Sequence, residues 1–161
     1  MESTQFEPAI LIVEDDSVLR RVMADLLTLY GCRVDVASDT YRAATLLDRR
    51  SYDVVLSDVQ LPGHGLSTLD HAHRIQPETP VILITSLRRP ALQRRACASG
   101  AFEVLEKPVT GAELRSAIQR ALEAERDGSG RRPEERDAAP GAGPCTAAAG
   151  GSPAAACPGA A

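Results

Sequence analysis

Glu14-Asp15-Asp16, Asp58, Thr85-Ser86 and Glu106-Lys107-Pro108 each stand at the end of a strand-like run, AILIV, VVLS, PVILI and FEVL respectively. Several carboxylates crowded together raise one another's pKa values unless a cation sits among them. A hard divalent ion takes oxygen ligands, and Mg²⁺ keeps several waters while using one or two carboxylates plus phosphate oxygens. In that setting Asp58 can act as a nucleophile toward phosphorus and become an acyl phosphate. Lys107 and the ion would stabilise charge on the transferring group, and the Thr85 hydroxyl could donate to a phosphate oxygen. Taken singly, Asp58 would read as a strand-end cap, Lys107 as a solvated charge and Thr85 as a β-branched strand residue. Their joint occurrence at successive strand ends favours the chemistry. Asp16, ahead of Ser17, reads as a helix N-cap rather than a ligand. His71 and His73 are two apart on a helix and face different directions, so with His64 they do not suggest a metal site.

The elements that must position these residues alternate in type. Ala9–Val13 is the first strand. Leu19, Val22, Leu26, Leu27 and Tyr30 then recur at helical spacing, and Gly31 ends that helix. Arg33–Ala37 is a second strand whose two charges suggest an edge. Asp39 caps a helix to about Arg50, with Ala43, Leu46 and Leu47 inward. Asp53–Ser57 is the third strand, and Pro62-Gly63 turns the chain into a helix over Leu66–Ile75. Strands over Pro80–Thr85 and Phe102–Glu106 alternate with helices over Pro90–Ser99 and Thr110–Ala124. Five strand–helix units call for an α/β fold, a parallel sheet covered by helices on both faces. Ligands should gather at the carboxyl ends of its strands.

Composition bounds the rest. The chain has 161 residues, 43% apolar and 25% charged, with a net charge of −4, which gives no reason to expect nucleic acid. No apolar run approaches a membrane span, and MESTQFEP lacks the pattern of a signal peptide. A cytoplasmic location follows as the expectation. Cys32, Cys97, Cys145 and Cys157 form no metal clip or redox pair and read as reduced thiols. From Asp127 to Ala161 there is no Leu, Ile, Val, Met, Phe, Tyr or Trp. Such a segment cannot offset its ordering entropy. Residues 1–7 and 127–161 therefore read as disordered, and 8–126 as the folded domain.

Four blocks, ILIVEDD, VVLSDVQLPG, VILITS and LEKP, occur in that order. At this spacing the chain resembles the CheY-like receiver domain of two-component response regulators from about residue 8 to 124. The resemblance implies a doubly wound five-stranded (βα)5 sheet of order 2-1-3-4-5. It implies a sensor histidine kinase or phosphotransfer protein as phosphodonor, and Asp58 as phosphoacceptor in a Mg²⁺-dependent reaction. It places the metal at Glu14, Asp15, Asp58 and the backbone carbonyl of Gln60. Thr85 matches the switch hydroxyl and Lys107 the family's lysine, and the Lys107–Pro108 bond is similar to one that is cis in receivers.

Two positions depart from the family pattern. The usual aromatic three residues before the lysine is Val104, and Phe102 on an extended strand would share its face about 7 Å away. Leu87, with Gln60, falls beside the family's route for attacking water and offers no hydrogen bond, which implies slow autodephosphorylation. Arg88, Arg89, Arg94 and Arg95 form a basic face that fits an acidic protein partner. No DNA-reading module follows Ala124, so the leading expectation is a stand-alone receiver that is not a turnover enzyme. It would switch the binding of a downstream protein, or its own dimerisation. The alternatives are a transcriptional regulator shortened at its linker, or a phosphorylation-independent interaction domain. A haloacid-dehalogenase-type phosphatase would need an Asp two residues after Asp58, where Gln60 stands.

Overall fold

The structure, a computed structural model, describes residues 7–61, 66–87 and 89–127. Both predicted disordered ends, the Pro62-Gly63 turn, His64 and Arg88 lie outside these residues. Five strands, β1 (Ala9–Val13), β2 (Arg33–Ala37), β3 (Val54–Asp58), β4 (Val81–Thr85) and β5 (Glu103–Glu106), alternate with five helices. The helices are α1 (Ser17–Leu29), α2 (Thr40–Arg49), α3 (Leu66–Ile75), α4 (Pro90–Ala98) and α5 (Gly111–Arg126). All strand pairs are parallel, in the order β2-β1-β3-β4-β5. This is the parallel α/β sheet that the strand–helix rhythm called for, in the doubly wound, CheY-like strand order that the resemblance implied.

Strand periodicity splits the core in two, because alternate residues face opposite sides of a sheet. Leu11, Val13, Val55, Val81, Leu83 and Val104 pack against Ala43 and Leu47 of α2, Leu69 and Ala72 of α3, and Ala96 of α4. Ile10, Ile12, Val54, Leu56, Ile82, Ile84 and Leu105 meet Met23 and Leu27 of α1 and Leu114, Ala117, Ile118 and Ala121 of α5. Only β2, at the edge, carries exposed positions among its apolar ones.

Helix ends follow local chemistry. The Asp16 carboxylate accepts from the N–H groups of Val18 (2.9 Å) and Leu19 (3.0 Å). Asp39 accepts from the Arg42 N–H at 2.8 Å, and Thr110 and Glu113 form a reciprocal capping box. Gly31 and Gly100, at φ 80° and 87°, take the left-handed conformation that ends α1 and α4.

Several expectations need correction. Strand β3 runs one residue later than predicted and includes Asp58, because the Val59 N–H still donates to the Ile84 carbonyl at 2.9 Å. Strand β4 begins at Val81, since Pro80 has no N–H for the ladder. In α1 Met23, not Val22, is buried, and Val22 is 57% exposed. Tyr30 caps that helix and is exposed, with the Arg115 guanidinium 4.9 Å from its ring centre. Phe102 precedes β5 and packs with the α1–α5 cluster, so it does not share the face of Val104. Cys32 is a free thiol, but Cys97 is disulfide-bonded rather than reduced; Cys145 and Cys157 lie outside the described residues.

Candidate functional site

The sheet register brings the predicted residues together. Val13 lies opposite Ala37 and Ser57, Asp58 opposite Ile84, and Thr85 opposite Glu106. The strands therefore end level, and Glu14-Asp15, Asp58, Thr85 and Lys107 open onto one bowl at their carboxyl ends.

One carboxylate oxygen from each of Glu14, Asp15 and Asp58 lies within 4.8 Å of the other two. Glu14 is 1% exposed and Asp58 3%, whereas Asp15 is open to solvent. The Lys107 ammonium reaches into the bowl and donates to Glu14 Oε2 (2.9 Å) and Asp58 Oδ2 (2.8 Å). Asp58 Oδ1 accepts from the Gln60 N–H at 2.8 Å. Both oxygens of the central carboxylate are thus oriented. The Asp16 N–H donates to Asp15 Oδ1 (2.9 Å) and Glu14 Oε1 (3.2 Å). Thr85 is buried, and its hydroxyl accepts from the Leu87 N–H at 3.0 Å. The Lys107 N–H donates to the Thr85 carbonyl at 2.8 Å, which ties the ends of β4 and β5. The Lys107–Pro108 peptide bond is cis.

The electrostatics follow from this crowding. Burial pushes the Glu14 carboxyl above its ordinary value, with the Asp58 charge acting in the same sense and the Lys107 hydrogen bond opposing both. Burial alone would lower Lys107, but its hydrogen bonds to Asp58 and Glu14 outweigh that and raise it. One ammonium faces three carboxylates. Negative charge therefore remains in excess, and the donors are all oxygen. The residues present fit a hard divalent cation such as Mg²⁺.

Two side-chain partnerships were not legible in the sequence, although Ser86 itself stood among the strand-end residues. The Arg20 guanidinium donates to the carbonyls of Glu14 (2.7 Å) and Asp15 (3.3 Å), fixing the loop that carries the acid pair. Its only sequence signal is a position one turn into the helix that follows that loop. The Ser86 hydroxyl donates to Gln60 Oε1 across the mouth of the bowl. Other expected residues lie elsewhere or play other parts. Val104 is buried beneath α4 rather than in the bowl. Leu87 stands at the mouth, 37% exposed. Arg89, Arg94 and Arg95 are exposed on and before α4. His71 bonds Asp48 (2.9 Å) and Arg74 (2.8 Å). Glu14, Asp15 and Asp58 are the only candidate metal group among the described residues.

The model of the response regulator receiver domain family matches residues 10–119. The chain belongs to that family. The receiver is 34% identical over 118 residues to the C4-dicarboxylate transport transcriptional regulatory protein DctD of Pseudomonas aeruginosa, covering 73% of this chain and 26% of that protein. It is 36% identical over 114 residues to the sensor histidine kinase AruS of the same organism, covering 68% of this chain and 11% of that protein. The chain thus spans about a quarter or less of the length of these relatives. Among solved structures, the signal receiver domain of an HD domain-containing protein from Pseudomonas fluorescens is 31% identical, with a TM-score of 0.72 over 76% of this chain and 99% of that one. The receiver domain of a Pseudomonas aeruginosa sensor histidine kinase, solved with a magnesium ion in its active-site cleft, is 28% identical, with a TM-score of 0.67 over 73% and 99%. Family membership and the acidic cluster are consistent with phosphoryl acceptance in two-component signalling. No helix among the described residues is long and apolar enough to cross a membrane.

Proposed function

We propose that Asp58 is the phosphoacceptor of a cytoplasmic receiver and that a sensor histidine kinase or phosphotransfer protein is the donor. The observation that carries this reading is the bowl itself: Asp58 is buried, held through both oxygens, and faced by a second buried carboxylate and one ammonium. An Asp58 oxygen forms a bond to phosphorus as the phosphorus–nitrogen bond of the donor phosphohistidine breaks, and the imidazole leaves with the electron pair. Lys107 Nζ, already 2.8 Å from Asp58 Oδ2, stays with the acceptor as charge moves onto the phosphoryl oxygens. The Thr85 hydroxyl accepts from Leu87, which leaves its own proton to give to a phosphoryl oxygen.

Mg²⁺ would be held by Glu14, Asp15, Asp58 and the Gln60 carbonyl, and when bound it neutralises charge on the phosphoryl group. Movement of Thr85 toward the phosphoryl group carries Leu87 and the start of α4 with it, because the hydroxyl holds the Leu87 N–H. The exposed Arg89, Arg94 and Arg95 then present a changed surface to an acidic partner.

The test is intact mass after incubation with acetyl phosphate. A single phosphoryl adduct that requires Mg²⁺ and is absent from Asp58→Asn supports the reading. An adduct of equal yield in Asp58→Asn overturns it.

A further inference from the structure

The chain passes from β1 to α1 through Glu14-Asp15-Asp16 alone. The Glu14 N–H still donates to the Ala37 carbonyl at 3.1 Å. A carbonyl at a buried strand end needs a donor of its own. For Glu14, 1% exposed, that donor is a side chain: Arg20 Nη1 reaches its carbonyl at 2.7 Å and the Asp15 carbonyl at 3.3 Å. We propose that Arg20 is a positioning residue for the metal: it fixes the backbone from which the Glu14 and Asp15 carboxylates project, and so sets the affinity of the bowl for Mg²⁺. This rests on the reading that these carboxylates hold the ion.

The two carboxylates differ in how they are held. Glu14 is buried and bonded to Lys107. Asp15 is exposed, so packing does not fix it. Its carboxylate is oriented by its own loop, through the Asp16 N–H at 2.9 Å, and the same N–H reaches Glu14 Oε1 at 3.2 Å. A shift of this backbone therefore displaces both ligands at once. Residue 20 closes the loop twice, because its own N–H also donates to the Asp16 carbonyl at 2.9 Å. A guanidinium suits the task, since its planar fork offers several donors where an ammonium offers a point charge. Arg20 thus acts on the ion in opposite senses. As a cation it repels Mg²⁺, an effect that solvent and salt screen. As an anchor it holds the ligands in place, and Mg²⁺ demands near-ideal geometry of its ligands. Positioning outweighs repulsion, and the two effects predict opposite signs when the guanidinium is removed.

The experiment titrates the full-length protein with Mg²⁺ alone and reads the dissociation constant from the backbone amide NMR shifts of Asp15 and Asp16. Arg20→Met is expected to bind about tenfold more weakly, the low end for losing a group that orients metal ligands. Arg20→Lys, which keeps the charge but not the fork, is expected to recover part of that loss and to bind about threefold more weakly than wild type. Arg21 is the control, because it carries the same charge at the next position of α1, 84% exposed and 3.8 Å from Asp25. Arg21→Met is expected to leave the affinity unchanged. Tighter or unchanged binding in Arg20→Met, or equal weakening in Arg21→Met, overturns the proposal. Should Arg20→Met lose the dispersed spectrum of a folded protein, Arg20→Lys carries the test, and wild-type affinity there overturns the proposal. Wild-type amides that ignore Mg²⁺, or that respond equally in Asp15→Asn, fail the metal reading instead, and take this proposal with it.

Discussion

Replacing Lys107 with Met tests how the bowl is held together. The substitution keeps most of the side-chain volume and removes the ammonium that bonds Glu14 at 2.9 Å and Asp58 at 2.8 Å. Removing one partner of a buried ion pair costs about 3–5 kcal/mol, because the other charge is left uncompensated. Here the loss is smaller, since Glu14, already pushed up by burial and by Asp58, can take a proton. A cost of about 2–4 kcal/mol near pH 8 follows, which is about 1–2 M in a urea midpoint at an m-value of about 2 kcal/mol/M.

The sign of its pH dependence is fixed. Without Lys107 the folded-state carboxylate pKa rises further above its unfolded value. Stability linked to a raised pKa is present below the unfolded value, about 4.3 for Glu, and is lost as pH rises through the folded one. The deficit should therefore be largest near pH 8, shrink toward pH 5, and shrink also when Mg²⁺ is added near pH 8. Urea unfolding followed by far-ultraviolet circular dichroism, with and without chelator, measures all three. A deficit of the same size at both pH values would refute the reasoning, because it would show that packing rather than charge was lost.

Gln76 is expected to matter more than its polar surface type suggests. Its amide accepts from the Tyr52 N–H (3.0 Å) and donates to the carbonyls of Leu47 (2.8 Å) and Arg50 (2.5 Å). Gln76→Leu should cost about 2–3 kcal/mol in urea unfolding, at about 1 kcal/mol for each bond lost. Glu103 is buried in β5 and paired with Arg120 of α5 at 2.6 Å, but Arg120 is 46% exposed and its share is screened by solvent. Arg120→Leu should destabilise by about 2 kcal/mol, and adding Glu103→Leu should recover most of it. Burial lowers the His73 pKa below 6.5, so the neutral ring is the one that folding favours. The stability this gives is present above pH 6.5 and lost as pH falls through the folded value. His73→Gln should flatten the stability slope from pH 6.5 downward.

The sequence by itself determined the strand–helix rhythm, because period-2 and period-3.6 apolar patterns are local properties of the chain. Caps such as Asp16 and Asp39 were legible at the helix starts for the same reason, whereas Thr110 was read as the first residue of α5 and is its cap. The acidic, hydroxyl and lysine residues at strand ends pointed to one bowl once a parallel sheet was assumed. Side-chain partnerships across long sequence separation were not legible. Nothing local to Arg20, Gln76 or Ser86 announces the carbonyls and amides they bind, because those partners are chosen by register and helix packing. The face of Phe102 was misread because periodicity assumes an extended strand, and β5 starts only at Glu103. Val22 and Met23 are equally apolar neighbours on α1, and only the docking angle of that helix on the sheet decided which of them is buried. Tertiary structure alone also decided that Lys107 bridges Glu14 and Asp58, since a flexible ammonium goes where two buried carboxylates leave the most negative potential.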